Sequence, residues 1–355
     1  MITRLSDLFP IILVSMVAAL LGGPVWIRLA RKGGLVDVPG SAPHKKHPVP
    51  TPLAGGLLLA SSLVVCYGLL RPQITTPLIG ILAGAGLMAA WGIADDRRSL
   101  SPPTKLAMQV IAAVVLVVAG VQVHVTRVPV IDLLLTILWV VGLTNAFNFV
   151  DSMDGLAIGL AAIASAFFML VTIDSAQPEL ASFSAALFGA LAGGLFYNIS
   201  PARLFLGDSG AQLLGFSLAA LGIAYTPGQA GLPQGVTWFT PIVALGVPIF
   251  DTTLVVLSRL RRRQPVSRAG RDHTYHRLIR LGLDPGRSVL VMQLAAMLLS
   301  LTAFVALEAS VWLANAIFGV IVALGLVAIG LLERRLPMRG SIGLDTPQAA
   351  EDVAK

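Results

Sequence analysis

The sequence predicts an all-α, polytopic membrane protein with about eleven transmembrane helices. Hydrophobic residues make up 56% of the 355 residues, charged residues only 12%, and the mean hydropathy is +0.84. Because a typical soluble domain is roughly 25% charged, this chain carries more apolar surface than a soluble core can bury. The formal net charge of +7 fits an anionic membrane surface, and nothing in the sequence points to nucleic acid.

Charged or Pro/Gly-rich breaks divide the chain into eleven stretches that approach the length of a membrane-crossing helix, which is about 20 mostly apolar residues. We expect one integral-membrane domain over residues 1–339 and a disordered polar tail over residues 340–355. The predicted transmembrane stretches are 8–30, 53–70, 76–94, 106–125, 130–149, 155–173, 179–197, 210–225, 237–257, 288–307 and 311–332.

The basic residues set the predicted orientation. With the N-terminus outside and the C-terminus in the cytoplasm, all but three of the 25 lysines and arginines fall in inner segments, as the positive-inside rule requires. The exceptions are Arg4, Arg71 and Arg127. Most carboxylates and histidines fall in the inner loops too, so we expect the chemistry to face the cytoplasm.

The first inner loop holds a cationic cluster, Lys45, Lys46 and His47, among several prolines. The prolines favour an extended segment at the membrane surface, where these side chains would suit anionic phosphates. The alternative is an anchor for lipid headgroups, which composition alone favours equally.

The second inner loop begins with Asp95 and Asp96 at the C-terminal end of a predicted helix. Two carboxylates there meet the negative end of the helix dipole, so they require a compensating cation. That cation is either Mg²⁺ or a neighbouring arginine, Arg97 or Arg98. The aspartates are not needed to cap the next helix, because Ser101 and the proline after it supply its N-terminal signal.

The third inner connection carries Asn145, Asn148, Asp151 and Asp154. The two aspartates lie three residues apart, so they share a face if the following helix starts early. Carboxylates and carboxamides together suit a hard cation and a polar ligand. The alternative, that Asp154 only caps the helix after Gly155, does not explain the other three residues.

The fourth inner loop ends in Phe-Leu-Gly-Asp208-Ser209-Gly, immediately before another apolar stretch. The glycines leave room for a phosphate to approach the backbone, and a helix N-terminus attracts anions. Alternatively, Asp208 or Ser209 simply caps that helix.

The long inner loop after Asp251 is rich in arginine and carries Arg271, His273 and His276. Its cationic density exceeds what orientation requires, and arginine forks suit diphosphates. No cysteine or third histidine joins the two histidines locally, so we interpret them as phosphate or sugar contacts rather than a metal pair. Asp251 lies roughly 12 Å before Arg259 along a helix, a depth at which a carboxylate is usually functional.

Together these loops assemble several aspartates and a basic segment at one membrane face. No Walker loop, Rossmann fingerprint or nucleophile elbow lies on a suitable element. The combination suits Mg²⁺-assisted phosphoryl transfer between a soluble diphosphate and a lipid phosphate, because the metal, with Mn²⁺ as an alternative, offsets the repulsion between the two anions.

These five ordered motifs, spread over residues 37–278, resemble those of the polyprenyl-phosphate N-acetylhexosamine-1-phosphate transferases, glycosyltransferase family 4. That family includes the WecA-like enzymes and the phospho-MurNAc-pentapeptide translocase. The resemblance implies a bacterial plasma-membrane enzyme that transfers N-acetylhexosamine 1-phosphate, foremost GlcNAc-1-phosphate, from a UDP-sugar to polyprenyl (undecaprenyl) phosphate and releases UMP. The product would start a cell-wall or surface polysaccharide, and a homodimer is left open.

The resemblance also implies roles for single residues. It assigns the lipid phosphate to the paired aspartates, the nucleotide and metal site to the third connection, the main Mg²⁺ ligand to the fourth loop, and choice of sugar nucleotide to the histidines. The predicted catalytic residues are Asp95, Asp96, Asp151 and Asp154, and the predicted metal ligands are Asp208 and Asp151. The predicted substrate-binding residues are Lys46, His47, Asn145, Asn148, Asp251, Arg271, His273 and His276.

Two motifs depart from the family pattern. Asp-Gly-x-Asp-Gly becomes Asp151-Ser-Met-Asp154-Gly, and His-x-His-His becomes His273-Thr-Tyr275-His276. Both carboxylates are kept, so we expect activity, while the identity of the sugar stays open. Competing interpretations are a proton-coupled transporter or flippase, which would place its charges near the membrane midplane, and an inactive membrane scaffold.

Overall fold

The computed structural model describes residues 4–40, 49–126, 128–226, 239–266, 270 and 272–335. Within these ranges the chain forms thirteen helices and one antiparallel pair of two-residue strands, β1 (Val36–Asp37) and β2 (Thr51–Pro52). The helices are α1 (Leu5–Lys32), α2 (Gly55–Leu70), α3 (Thr76–Arg98), α4 (Pro102–Val118), α5 (Pro129–Val150), α6 (Leu156–Asp174), α7 (Pro178–Asn198), α8 (Gly207–Ala224), α9 (Thr240–Ala244), α10 (Gly246–Arg261), α11 (Thr274–Arg280), α12 (Pro285–Leu307) and α13 (Val311–Arg335).

Seven of the described helices are long and apolar enough to cross a membrane, namely α1, α3, α5, α6, α7, α12 and α13. Two shorter helices, α2 and α4, are also apolar. The prediction of a helical, polytopic membrane protein is therefore confirmed, with the small strand pair as an addition. The total of eleven transmembrane helices, their orientation and the domain limit at residue 339 stay predictions, and the predicted tail lies outside the described residues.

Two predicted stretches differ from the observed helices. The stretch 237–257 is divided into α9 and α10, because Pro248 has no N–H to donate to the carbonyl of Ala244. Helix α4 ends at Val118, well before residue 125. Gly120 there has φ +84°, and the N–H of Val121 donates to the carbonyl of Leu116 at 2.9 Å, which closes the helix in a Schellman-type turn.

Helices α6 and α7 form the centre of the bundle. In the most apolar part of each helix, 72% of the residues of α6 and 78% of those of α7 are buried. Small residues let α1 approach α7 closely: a Cβ at Gly189 would lie 2.3 Å from the carbonyl oxygen of Ile12. Nearby, the hydroxyl of Ser15 donates to the carbonyl of Ala186 at 2.7 Å. Close backbone approach and interhelical hydrogen bonds are the usual basis of helix association in membranes.

The strand pair organises one end of the bundle. Beyond β2, Leu53 forms a parallel bridge with Phe205, whose N–H donates to the carbonyl of Pro52 at 2.9 Å. The carbonyl of Phe205 in turn accepts the N–H of Gly55 at 3.0 Å. These bonds bring the first turns of α2 and α8 to the same end of the bundle as the last turns of α3 and α5.

Candidate active site

Asp208, in the first turn of α8, connects three of the predicted motifs. The amide Nδ2 of Asn148 donates to its Oδ1 at 2.5 Å, and the ammonium Nζ of Lys105 lies 3.1 Å from its Oδ2. Lys105 also forms an ion pair with Asp95. One charged cluster thereby joins the ends of α3 and α5 and the starts of α4 and α8.

Asp96 holds the N-terminus of α8. Its two carboxylate oxygens accept the backbone N–H groups of Asp208 at 2.8 Å and of Ser209 at 3.2 Å. A carboxylate at this position satisfies free N–H groups of the helix and complements its dipole. The alternative that Asp208 or Ser209 caps its own helix is therefore wrong, since neither side chain caps it and Asp96 comes from a different helix.

Glycines make this contact possible. Gly207 has φ +67°, and a Cβ there would lie 2.8 Å from a carboxylate oxygen of Asp96. A Cβ at Gly92 would lie 2.2 Å from the Cα of Ser209. The space beside Gly207 that the sequence suggested for a phosphate is thus filled by the Asp96 carboxylate.

Asp95 is buried, with 3% of its surface exposed. Its Oδ1 accepts the N–H of Leu100 at 2.8 Å, and Oδ2 pairs with Lys105. The alternative of pairing with Arg97 or Arg98 is wrong for this carboxylate. Ser101 caps α4 as predicted, because its hydroxyl accepts the N–H of Thr104 at 3.4 Å.

Lys105 is the functional candidate that the sequence analysis missed. In the sequence it is one of many inner positive charges, yet in the fold it is the cation that bridges Asp95 and Asp208. A signal was present, because a lysine near the start of a helix opposes the helix dipole and so requires nearby carboxylates. Only the folded chain shows which carboxylates those are.

Asp151 and Asp154 lie in the turn between α5 and α6. Because α6 begins only at Leu156, the early helix start that a shared face would require does not occur. The Oδ2 of Asp154 accepts the N–H of Ala202 at 2.9 Å, whereas Gly155 occupies the N-cap position of α6 without a side-chain cap. Asp154 therefore holds the segment before α8 and does not cap α6.

Asp151 is the least compensated carboxylate of the cluster. No described residue forms a hydrogen bond or ion pair with its side chain, which remains partly exposed. Burial among protein atoms, together with the carboxylates of Asp208, Asp96 and Asp154, raises the pKa of Asp151 well above its usual range. An anion in such surroundings favours binding of a cation.

The two predicted amides have different partners. Asn148 contacts Asp208 directly. Asn145 instead donates to Gln109 Oε1 at 2.7 Å and to the carbonyl of Val141 at 2.8 Å, and its own Oδ1 accepts from Gln109 Nε2 at 3.3 Å. The side chain of Asn145 therefore links α5 to α4, one turn away from the carboxylates.

Asp251 is completely buried and pairs with the predicted histidine loop. Its Oδ2 lies 2.8 Å from Nδ1 of His273, and its Oδ1 accepts the N–H of Thr274 at 2.6 Å. A carboxylate on Nδ1 fixes the ring orientation and leaves Nε2 for another partner. The structure thus joins the deep aspartate to the histidine motif that lies 22 residues later.

Part of the arginine excess is neutralised within the loop. Arg259 makes a two-point contact with Asp272, at 3.0 Å from Nε and 2.8 Å from its terminal nitrogen, and Arg262 lies 2.7 Å from the same carboxylate. Although burial acts against it, hydrogen bonds from Arg259 and Arg262 lower the pKa of Asp272 to about 2. These two arginines therefore shape the loop, which the sequence analysis did not foresee.

Helix α11, which the sequence treated as loop, carries the rings toward the carboxylates. His273 lies edge-on to Phe149, with ring centroids 6.2 Å apart, and Tyr275 packs on His276 at 4.0 Å. The hydroxyl of Tyr275 lies 3.5 Å from the carbonyl oxygen of Ser152, in the turn that holds Asp151. Three predicted residues, Lys46, His47 and Arg271, lie outside the described residues.

No three acidic, histidine or cysteine side chains converge as a ready-made metal site within the described ranges. The donors that do gather are carboxylate oxygens and the amide of Asn148, which are hard ligands. Mg²⁺ commonly uses one or two carboxylates together with water and substrate phosphates rather than an all-protein cage. The oxygen donors around Asp208 and Asp151 fit that mode of binding.

Comparison with known proteins agrees with the resemblance. Residues 78–226 match the sequence profile described as glycosyl transferase family 4. The Bacillus subtilis protein named "Probable undecaprenyl-phosphate N-acetylglucosaminyl 1-phosphate transferase" is 35% identical over 315 residues, which cover 85% of each chain. The chain belongs to glycosyl transferase family 4.

Two further relatives extend the match. "Decaprenyl-phosphate N-acetylglucosaminephosphotransferase" of Mycolicibacterium smegmatis is 33% identical over 311 residues, covering 76% of this chain and 75% of its own. "Undecaprenyl-phosphate alpha-N-acetylglucosaminyl 1-phosphate transferase" of Escherichia coli K12 is 26% identical over 288 residues, 77% of each chain. These names give no support to the transporter alternative. In this family 4 member, Lys105 and its partners Asp95 and Asp208 lie inside the matched residues 78–226, whereas Asp251 and α11 lie outside them.

Proposed function

We propose that this family 4 protein transfers GlcNAc-1-phosphate from UDP-GlcNAc to polyprenyl (undecaprenyl) phosphate, forming polyprenyl-diphospho-GlcNAc and releasing UMP. The observation that carries the proposal is the meeting of Lys105, Asn148 and Asp208 at one end of a membrane bundle. The names of three relatives, all of them GlcNAc-1-phosphate transferases acting on a polyprenyl phosphate, support the donor and acceptor.

In the proposed reaction an oxygen of the lipid phosphate forms a bond to the β-phosphorus of UDP-GlcNAc. The bond from that phosphorus to the bridging oxygen breaks, and the oxygen leaves with UMP. No net proton transfer is needed when the lipid phosphate enters as a dianion. The obstacle is the repulsion between two anions, so the site has to supply positive charge and fixed geometry.

Different residues of this chain supply the positive charge and the fixed geometry. Lys105 supplies a positive charge next to Asp208, and Asn148 fixes the direction of the Asp208 carboxylate. Asp96 keeps the N-terminus of α8 in place, and Asp95 holds Lys105. The partly exposed Asp151 is the carboxylate with capacity left for a ligand.

Mg²⁺, or Mn²⁺ in its place, is the proposed cofactor, and Asp208 and Asp151 are the residues that would hold it. Bound there, the ion would withdraw charge from the diphosphate of the donor. His273, oriented by Asp251, and His276 are proposed to contact the sugar nucleotide, with Lys46, His47 and Arg271 as further phosphate contacts.

We also propose the sidedness of the enzyme. The charge distribution favours an N-terminus outside and a carboxylate cluster facing the cytoplasm. The apolar stretches favour eleven transmembrane helices, and the family resemblance implies a bacterial inner membrane. Its product would start a cell-wall or surface polysaccharide.

The test is UMP release by the purified full-length protein in detergent, given undecaprenyl phosphate, Mg²⁺ and a panel of UDP-N-acetylhexosamines. We expect lipid-dependent UMP with UDP-GlcNAc, lost on addition of EDTA and in the Asp208→Asn variant. A folded wild-type protein that releases no UMP with any donor would contradict the proposal. Release with another UDP-sugar alone would keep the chemistry and replace the donor.

A further inference from the structure

The last helix, α13, is held at one end by a buried ion pair that no predicted motif contains. Glu333, two residues before the end of α13, pairs with Arg277 of α11. Arg277 is fully buried, and its guanidinium also donates to the hydroxyl of Ser258 on α10 at 3.2 Å. The other Glu333 oxygen lies 3.8 Å from Arg261. One carboxylate therefore joins three helices.

The rest of α13 packs loosely against the bundle. Of its described side chains, only Ala314 and Ile329 are buried, while large apolar side chains such as Trp312 and Leu324 are exposed. Lipid would cover such a surface in a membrane. Apolar contacts on α13 include Phe318, which stacks on Phe239 with ring centroids 4.9 Å apart, whereas the ion pair at Glu333 ties α13 to α11 and so to the candidate active site.

Arg277 lies within the helix that carries the candidate nucleotide contacts. It directly follows His276, and its backbone N–H donates to the carbonyl of His273 at 3.3 Å. The same short helix reaches the Asp151 turn through the hydroxyl of Tyr275. A displacement of the Arg277 side chain would thus move α11 as a unit, together with both histidine rings.

We propose that Glu333 is a positioning residue for donor binding: by holding Arg277, it sets α11 so that His273 and His276 meet the sugar nucleotide. This inference rests on the proposed function. The inference adds to that function a residue of α13, which lies far along the chain from every predicted motif. The carboxylate cluster around Asp208 has separate supports, so the lipid acceptor should be unaffected.

The experiment compares full-length wild-type protein with Glu333→Gln, measuring KM for UDP-GlcNAc, KM for undecaprenyl phosphate, kcat and thermal stability. We expect Glu333→Gln to raise the donor KM about tenfold, as loss of a charge-assisted hydrogen bond would. The acceptor KM should stay unchanged. Glu333→Asp should recover most of the donor affinity. Glu308→Gln is the matched control and should behave as wild type, because Glu308 is an exposed glutamate directly after the C-terminal end of α12.

A second variant separates positioning from simple stability. Removal of both charges in Arg277→Met with Glu333→Met avoids leaving one buried charge alone, which is the usual cause of unfolding in such pairs. We expect this double variant to fold and still to bind the donor poorly. Wild-type donor KM in either folded variant, or equal losses for donor and acceptor, would overturn the inference. Inactive wild-type protein would instead refute the proposed function.

Discussion

Two regions at the same end of the bundle differ in how far basic side chains compensate their carboxylates. The first, the carboxylate cluster, consists of Asp95, Asp96, Asp151, Asp154 and Asp208, and among the residues that the structure describes it contains one cation, Lys105. In the second, the arginine-rich region, each carboxylate has at least one basic partner. These carboxylates are Asp251, Asp272 and Glu333. The first lies within residues 78–226, which match the family profile, and the second outside them.

This difference indicates which of the two regions binds a cation or substrate. Compensated carboxylates such as Asp272 have their charge and hydrogen-bonding capacity met by the protein, so they fix geometry. The first cluster keeps excess negative charge, which costs free energy unless a cation or substrate completes it. Excess charge that persists in a fold marks a binding site, whereas an excess of basic residues in the sequence does not by itself.

The largest effect expected from this comparison is at Asp208. We expect Asp208→Asn to lower kcat about a thousandfold, the upper range for loss of one electrostatic contact in a phosphoryl-transfer site. The amide keeps the shape but loses the charge that faces Lys105 and the proposed Mg²⁺. The measurement is lipid-dependent UMP release. Asp174→Asn, at an exposed aspartate at the end of α6, is the control and should leave turnover unchanged.

The next effect concerns Lys105. Lys105→Met removes the only cation that contacts the described cluster, so we expect kcat to fall about a hundredfold and the half-saturating Mg²⁺ concentration to fall as well. The second change follows because Mg²⁺ would no longer compete with the ammonium. A titration of activity with Mg²⁺ measures both.

The matched variant for this test is Lys105→Arg, which keeps the charge and should keep most activity. If Lys105→Met instead needed more Mg²⁺ than wild type, the ammonium would be assisting the metal rather than competing with it. The contrast between the two regions would then need revision.

A smaller effect is expected in the compensated region, at Asp251. The carboxylate accepts from both His273 and the N–H of Thr274, whereas an amide has one oxygen. In Asp251→Asn the amide can accept only one of the two bonds, and when it keeps that of Thr274 it can meet His273 Nδ1 only as a donor, which reverses the tautomer of the ring. We expect a donor KM about tenfold higher with a smaller change in kcat. Asp284→Asn, at the exposed cap of α12, is the control because asparagine caps equally well. A large fall in kcat without change in KM would make His273 part of the chemistry.

The smallest effect on activity is expected at the Gln109–Asn145 pair. Asn145→Leu should lower the free energy of unfolding by about 1–3 kcal/mol, because Gln109 is left buried without its partner. Gln109→Leu combined with Asn145→Leu should regain most of that stability and keep kcat within about threefold of wild type. Thermal unfolding and UMP release measure the two. A double variant that is stable but fails to bind UDP-GlcNAc would restore Asn145 to the substrate-binding residues.

Much of the helix pattern followed from the sequence, because a membrane helix satisfies its own backbone hydrogen bonds and needs only an apolar run of sufficient length. The long helices α1, α3, α5, α6, α7, α12 and α13 were found in this way. The division at Leu245 and the short α11 were missed. Both depend on a single proline or on contacts with distant residues, which hydropathy does not detect.

The site was predicted less evenly. The prediction that the paired aspartates need a compensating cation agrees with the contacts of Asp95, whose partner is Lys105, whereas Asp96 accepts backbone N–H groups of α8 instead. Asp151 and Asp154 would share a helical face only with an early start of α6, and α6 starts two residues after Asp154. The role of Lys105 is not evident from the sequence, because no carboxylate lies beside it on α4 and its partners come from α3 and α8.

The sequence by itself determined that this chain is a membrane protein, which family it resembles and which end carries its charge, because composition, motif order and charge bias are properties of the chain. Only the tertiary structure decided the partners: Lys105 with Asp95 and Asp208, Asp251 with His273, Glu333 with Arg277. A carboxylate has a few ångströms of reach, so its role depends on which helices the packing brings beside it. Small residues at the helix contacts, such as Gly92 and Gly207, set that packing.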